Sequence, residues 1–447
     1  MIKHHELQAV AKLALPLMAA FLAQKGMQLI DTLMLARLGP GALASSSFSL
    51  SFFFTILIFC LGVLSSVGVY VARAHGANDS EAVTFNLQNG LVLALVLSIP
   101  GMVLLWFVPQ FLLFIGEDPT VVVGTRHLLH ALLWGFPGFL LFAVLREFVT
   151  VFALTRIVMF VTFVAVPMTY CLNTVFIYGY FGLPALGIAG IGCAGAIVLW
   201  FMFFVLFIYS MRKPVLSQHL FQYAYTISWM KIADMLHLGV PSGLLFLLES
   251  GMFLFSSIMI GMFGVAQLAA YQVSLQSASI AYTIPFTLGM TTAIQVGHAI
   301  GAKRTQEEIR RIIQVNLILG VGFSILIAIV FLMIPEKIAK LFFFNMPNPD
   351  PKVLAIATSF LIIAAFFQCL DAVQSIANGA LRGLKDTVIP MWISVACYWL
   401  IGMSSAYLLA FHTALGAAGV WYGLTFGIST VGVALIYRLR NKMRKPI

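Results

Sequence analysis

Asp31, Glu249 and Asp371 lie inside long apolar runs, while the other acids of the chain fall in or beside polar gaps. One charged carboxylate at mid-bilayer costs roughly 2.5–3.5 kcal/mol on insertion scales. Three independent accidents of that size are a poor explanation, and an ionisable side chain inside a membrane points to a functional site. The chemistry that such acids do is cation handling. Burial disfavours the charged form of a carboxylate. A proton, Na⁺ or a cationic substrate can each neutralise it, and competition among them for one site is what ion-coupled antiport requires.

The neighbours of these acids are spaced for one helix face each. Gln24, Gln28 and Asp31 are four and three residues apart. Gln368, Asp371, Gln374 and Asn378 repeat the device, and Ser242, Glu249 and Ser256 recur every seven residues. Such stripes line a bundle interior or a wet cavity. Plain interhelical hydrogen bonding is the competing role, worth about 0.6–2 kcal/mol per contact, and a glutamine serves it at less cost than an acid. Asn173 is a further polar residue in an apolar run, suited to a cavity or to packing. Pro16 and Pro241 each remove a backbone hydrogen bond and permit a kink, either as a bending point or as a fixed bend. Lys25, six positions before Asp31, falls on a different face, and its role stays open.

The elements that position these residues are membrane helices. The chain is 61% hydrophobic and 9% charged, against about 25% charged in soluble domains. At about 20 residues per span, 447 residues accommodate about twelve helices. The expected spans are 9–36, 43–72, 87–115, 126–149, 157–180, 188–212, 234–262, 268–298, 310–335, 352–378, 387–410 and 415–437. They are helices because lipid leaves only helices and closed barrels as spanning structures. The first is read as a retained helix, since no cleavage site follows a short apolar region.

The two halves repeat. A shift of 225 residues carries Pro16 onto Pro241, Gly39 onto Gly264 and Gly76 onto Gly301. A shift of 229 carries Gly187 onto Gly416 and Gly190 onto Gly419. The expected fold is therefore all-α, with two six-helix lobes, 1–212 and 234–447, joined by a cytoplasmic linker, 213–233. Six spans per lobe give both lobes one orientation, related by a pseudo-two-fold axis along the membrane normal. The charged positions break the repeat: Asp31 meets Ser256, and Glu249 meets Gln24.

The net charge of +10 does not signal nucleic acid, because it follows the positive-inside rule. With a cytoplasmic N-terminus, Lys3 and Lys12 precede alternate gaps that hold Arg73, then Arg146 and Arg156, then Arg212, Lys213 and Lys231. Lys303, Arg304, Arg310 and Arg311 come next, then Arg382 and Lys385, then a tail of Arg438, Arg440, Lys442, Arg444 and Lys445. Both termini are thus expected in the cytoplasm, with the lipid bilayer as the main partner. The five cysteines form no Cys-x-x-Cys pair. Gly297–Lys303 is one residue short of a P-loop, and no HExxH zinc motif occurs. No cofactor or nucleic-acid partner is called for. An intramembrane aspartyl protease using Asp31 and Asp371 is the rival from the enzyme class, weakened because neither Asp sits in a Gly-x-Gly-Asp motif.

The first span, Gln24-Lys25-Gly26-Met27-Gln28-Leu29-Ile30-Asp31-Thr32-Leu33-Met34, resembles the Q-x-G-M-x-x-x-D-T-x-M pattern of the multidrug and toxic compound extrusion (MATE) family, NorM-like branch. The tenth span resembles its Q-x-x-D-A-x-Q, here Gln368 to Gln374, followed by Gly379 to Asp386 for G-x-L-R-G-x-K-D. The resemblance covers nearly the whole chain. It implies a monomeric antiporter in a bacterial cytoplasmic (inner) membrane, exporting cationic or amphipathic drugs against Na⁺ or H⁺. It also implies an N-lobe site at Asp31 with Gln28, Gln24 and Asn173, and a C-lobe cation site at Glu249 and Asp371 with Gln272 and Tyr282. Two positions depart from the family pattern. Phe367 stands where some members have a tyrosine, and Thr169 precedes Asn173 where two Asn/Asp-type residues are usual. A lipid-linked precursor flippase of related architecture is the nearer alternative, and would be expected to place more basic residues among its cavity helices.

Overall fold

The computed structural model describes residues 4–221, 226–342 and 350–444. Lys3, Lys445 and the middle of the expected linker, 222–225, lie outside the described residues. Among the described residues all regular structure is helical. The long elements are α1 (His4–Arg37), α2 (Pro40–Gly76), α3 (Ser80–Phe114) and α4 (Pro119–Val151, tightened to a 3₁₀ turn at Leu133–Gly135). They continue with α5 (Arg156–Tyr178), α6 (Ile188–Arg212), α7 (Trp229–Gly261) and α8 (Val265–Gly301). The last four are α9 (Gln306–Met333), α10 (Pro351–Gly383), α11 (Val388–Phe411) and α12 (Ala417–Lys442). Short helices Pro214–Phe221 and Pro335–Phe342 lie between them. Eleven of the twelve are long and apolar enough to cross a bilayer; α8, 37 residues long, is not among them. The chain is a multi-pass membrane protein.

Acids outside the apolar runs do local work at helix starts. Asp79 accepts from the Ala82 N–H at 2.9 Å, Asp118 from Thr120 at 2.7 Å and Asp350 from Lys352 at 2.9 Å. Thr305 and Glu308 form a reciprocal capping box that opens α9. These caps satisfy N–H groups that a helix start leaves without partners.

The repeat read from the sequence recurs in the backbone. Gly39 and Gly264 both take left-handed φ, 108° and 115°, and Gly187 and Gly416 both take 54°. Asn78 and Lys303, related by the same shift of 225, sit at 57° and 50°. Gly190 and Gly419 each leave no room for a Cβ, which would lie 2.7 Å from the Phe176 carbonyl carbon and 2.5 Å from that of Leu409.

By contact the chain divides into two units, one of Ala11–Gly243 and one of Leu244 onward joined by the start of α1 up to Val10. In the first, the segment after the short helix Pro214–Phe221 is tied to α3. Asn89 donates to the Thr226 carbonyl at 3.1 Å and accepts from the Ser228 N–H at 2.8 Å. In the second, α8 and α10 run parallel with a constant offset of 90 residues. Gln368 donates to the Ala278 carbonyl, Ser375 to that of Pro285, and a Cβ on Gly379 would collide with the carbonyl of Gly289. Glycine at 379 and 289 lets the two backbones touch, the small-residue contact that drives helix association in lipid.

Candidate functional site

The second unit gathers most of the predicted C-lobe site. Glu249 on α7 and Asp371 on α10 are both buried, at 7% and 3% exposure. They share one donor. The side-chain nitrogen of Gln374 donates to Glu249 Oε1 at 3.4 Å and to Asp371 Oδ1 at 3.3 Å. The amide is oriented from behind, because the Tyr398 hydroxyl donates to Gln374 Oε1 at 2.6 Å. Tyr398 is fully buried and belongs to a stretch of α11, Ala396–Met403, wound as a π-helix. Single π-turns are rare and collect at functional sites.

A small pocket, with room for about one water molecule, opens beside Glu249. Its polar walls are Tyr282, Gln374, Ser375, Asn378 and Arg382, and its apolar walls are Phe246 and Phe286. Phe286 packs on both Phe246 and Tyr282, each with ring centroids 5.8 Å apart. Two carboxylates offer about eight lone-pair directions, and one amide fills two of them. Like charges held close cannot both ionise without a compensating cation. A proton on one oxygen, or a hard cation among carboxylate, amide and phenol oxygens, supplies the missing charge.

Gln272, expected here, is not brought to the pair. It is exposed. The α8–α10 register sets Asp371 level with Ala281, nine residues further along α8, or about 13 Å at 1.5 Å per residue. Phe367 is buried in an edge-to-face contact with Trp421, ring centroids 5.6 Å apart, and contributes no oxygen.

In the first unit, Asp31 meets Asn173. The fully buried Asn173 donates from its amide nitrogen to Asp31 Oδ1 at 2.7 Å, joining α1 to α5. The Asn173 amide oxygen and the Gln24 amide nitrogen are buried without partners among the described residues. Gln28 lies one turn before Asp31 and is half-buried, as is Lys25. Thr169 points its hydroxyl back to the Ala165 carbonyl at 2.8 Å, while Asn173 one turn later reaches Asp31. Pro16 and Pro241 both sit within continuous helices, α1 and α7.

Two sequence readings need correction. Arg146 was expected in a cytoplasmic gap and Glu147 beside one, yet both are buried within α4, at 4% exposure each. The Arg146 guanidinium stands 3.6 Å from Glu147 and 5.0 Å over the Phe21 ring. Both already fell within the last turn of the expected span 126–149, and the helix continues to Val151, so the charge-based assignment of Arg146 to a gap was wrong. Arg382, also expected in a gap, is 5% exposed and lines the Glu249 cavity. Gly383 leaves no room for a Cβ against the Ala293 carbonyl, which seats the last turn of α10 on α8. Tyr398 carried no sequence signal, whereas the three-residue step from Asp371 to Gln374 did.

The model of the MatE family matches residues 16–178 and 241–408. A protein of Pseudomonas aeruginosa named "Probable multidrug resistance protein NorM" is 36% identical over 431 residues, 96% of this chain and 88% of that protein. A Pseudomonas putida protein of the same name is 35% identical over 447 residues, 98% of this chain and 95% of that one. Among solved structures, one of MATE in the bent conformation matches with a TM-score of 0.88 at 17% identity, over 98% of this chain and 96% of that chain, a likeness of fold alone.

Proposed function

We propose that this chain, which belongs to the MatE family, is a multidrug efflux antiporter of a bacterial cytoplasmic membrane, exporting organic cations or amphipathic drugs in exchange for H⁺ or Na⁺. The observation that carries the reading is the pair Glu249 and Asp371 held on one amide nitrogen. Structural packing has no use for two buried acids on one donor, and a cation exchanger does. The names of the relatives support the drug class. Asp31 with Asn173 supplies a third acid, at a second site, for proton or drug. The protein works as a monomer without a resident cofactor.

The reading is tested in proteoliposomes loaded with a fluorescent organic cation. Imposing an inward H⁺ or Na⁺ gradient, each alone, is expected to drive efflux with one of the two ions. Efflux that ignores both gradients would end the antiport reading.

The basic gaps support a cytoplasmic location for both termini. A reporter fused after Glu117, in the turn between α3 and α4, should then report the outer face. A cytoplasmic signal there would reverse the topology.

A further inference from the structure

We infer that the turn between α5 and α6 is a membrane anchor, which seats Phe181 among lipid acyl chains at the bilayer surface and holds Tyr178 and Tyr180 at the headgroups.

No charged side chain lies between Arg156 and Arg212, so this turn has none. The other two turns at that end of the first unit carry charge, Arg37 just before one and Glu117 with Asp118 in the other. Here the chain reads Tyr178-Gly179-Tyr180-Phe181-Gly182-Leu183, and both tyrosines, Phe181 and Leu183 are exposed. Phe181 is 91% exposed, more than any other large apolar side chain among the described residues. The patch continues a lipid face. Phe160, Phe163, Pro167 and Tyr170, three or four residues apart, form an exposed stripe on α5, and Tyr178 ends it two turns later.

The tip is built rather than loose. The Leu186 N–H donates to the Phe176 carbonyl at 3.0 Å and the Leu183 N–H to that of Tyr180 at 3.3 Å. Gly179, at φ 75°, lets the turn fold back, because a Cβ there would lie 2.7 Å from the Leu183 carbonyl oxygen. Phe181 is held at φ 60°, an outlier for a bulky residue. The second unit shows the alternative. The shift of 229 carries Tyr178 onto Tyr407 and 183–187 onto 412–416. There the helix runs four residues further, to Phe411, whose ring stacks on Phe263 at 5.0 Å. The turn after it opens with the polar His412 and Thr413. One repeat thus folds its aromatic inward and exposes polar groups, while the other breaks the helix and points its aromatic out. A strained backbone that presents an apolar ring suits an apolar medium, and rings flanked by phenol groups collect at the membrane surface.

Carbene labelling of the purified full-length protein in phospholipid vesicles tests this on the native sequence. One probe is a phospholipid with a diazirine near the top of its acyl chain, and the other is a water-soluble diazirine. Adducts are located by peptide mass spectrometry. Phe181 should take the lipid label as well as the lipid-facing Phe163 does, and severalfold better than the exposed Thr120 beside Asp118. The water-soluble label should show the reverse order. A turn marked from water as strongly as Thr120 would lie in water, and one marked by neither probe would be covered by protein, such as a second copy. Either result overturns the anchor. Phe181→Asp should cut lipid labelling of Tyr180 and Leu183 severalfold, whereas Phe181→Leu should keep it. Unchanged lipid labelling in Phe181→Asp would overturn Phe181 as the seated group.

Discussion

Glu249→Gln and Asp371→Asn, made singly, are each expected to remove most ion-coupled efflux, and the double variant to be little worse than either. The expected loss is about tenfold or more in initial rate, equivalent to ~1.4 kcal/mol or more. Both acids rest on the Gln374 nitrogen, so a cation bound there is bound by both. Removing either acid removes the shared ligand set, and the second change then has little left to remove. Neighbours that share a partner are coupled in this way, and distant sites are not. Their protonation likewise belongs to the pair rather than to either residue. Efflux measured in proteoliposomes decides the matter. Two partial losses that simply add would mean separate sites.

Asp31→Asn is expected to abolish drug resistance in cells while leaving the protein expressed. The substitution keeps the shape and takes away the charge that the 2.7 Å bond from Asn173 supports. Asn173→Leu should give a weaker version of the same defect. It leaves the acid in place but deletes its buried donor, a loss of about 1.5–3 kcal/mol for a hydrogen bond to a charged group. Growth at graded drug concentrations, with membrane levels checked by immunoblot, reads both. Full resistance in Asp31→Asn would take Asp31 out of the mechanism.

Much of this was legible in the residues. Apolar run length located the helices, and the glycines at 39, 187, 264 and 416 marked turns that only a left-handed backbone makes. Spacing put Asp371 and Gln374 on one face, where the amide now bonds the acid. What stayed hidden depended on depth rather than pattern. Arg146, Glu147 and Arg382 stand near the ends of long helices, where hydropathy does not tell a side chain in water from one folded under its neighbours. Gln272 was misplaced because the register of α8 against α10 is set by glycine contacts between helices distant in sequence. Tyr398 was invisible because a π-turn changes which face a residue presents, and no residue type announces one.

The polarity of α8 has a consequence for biosynthesis. Its hydroxyls are turned back on their own helix: Ser274 on the Ala270 carbonyl, Ser277 on Val273, Thr287 on Thr283 and Thr292 on Leu288. Two of the bonds that reach it from outside, those of Gln368 and Ser375, come from α10, ninety residues later in the chain. At roughly 5–20 residues per second, the ribosome delivers that partner on the order of ten seconds after α8. For that interval α8, which is not among the helices apolar enough to cross a bilayer by themselves, lacks the contacts of α10, so the order of synthesis makes α10 the element that completes its passage into lipid.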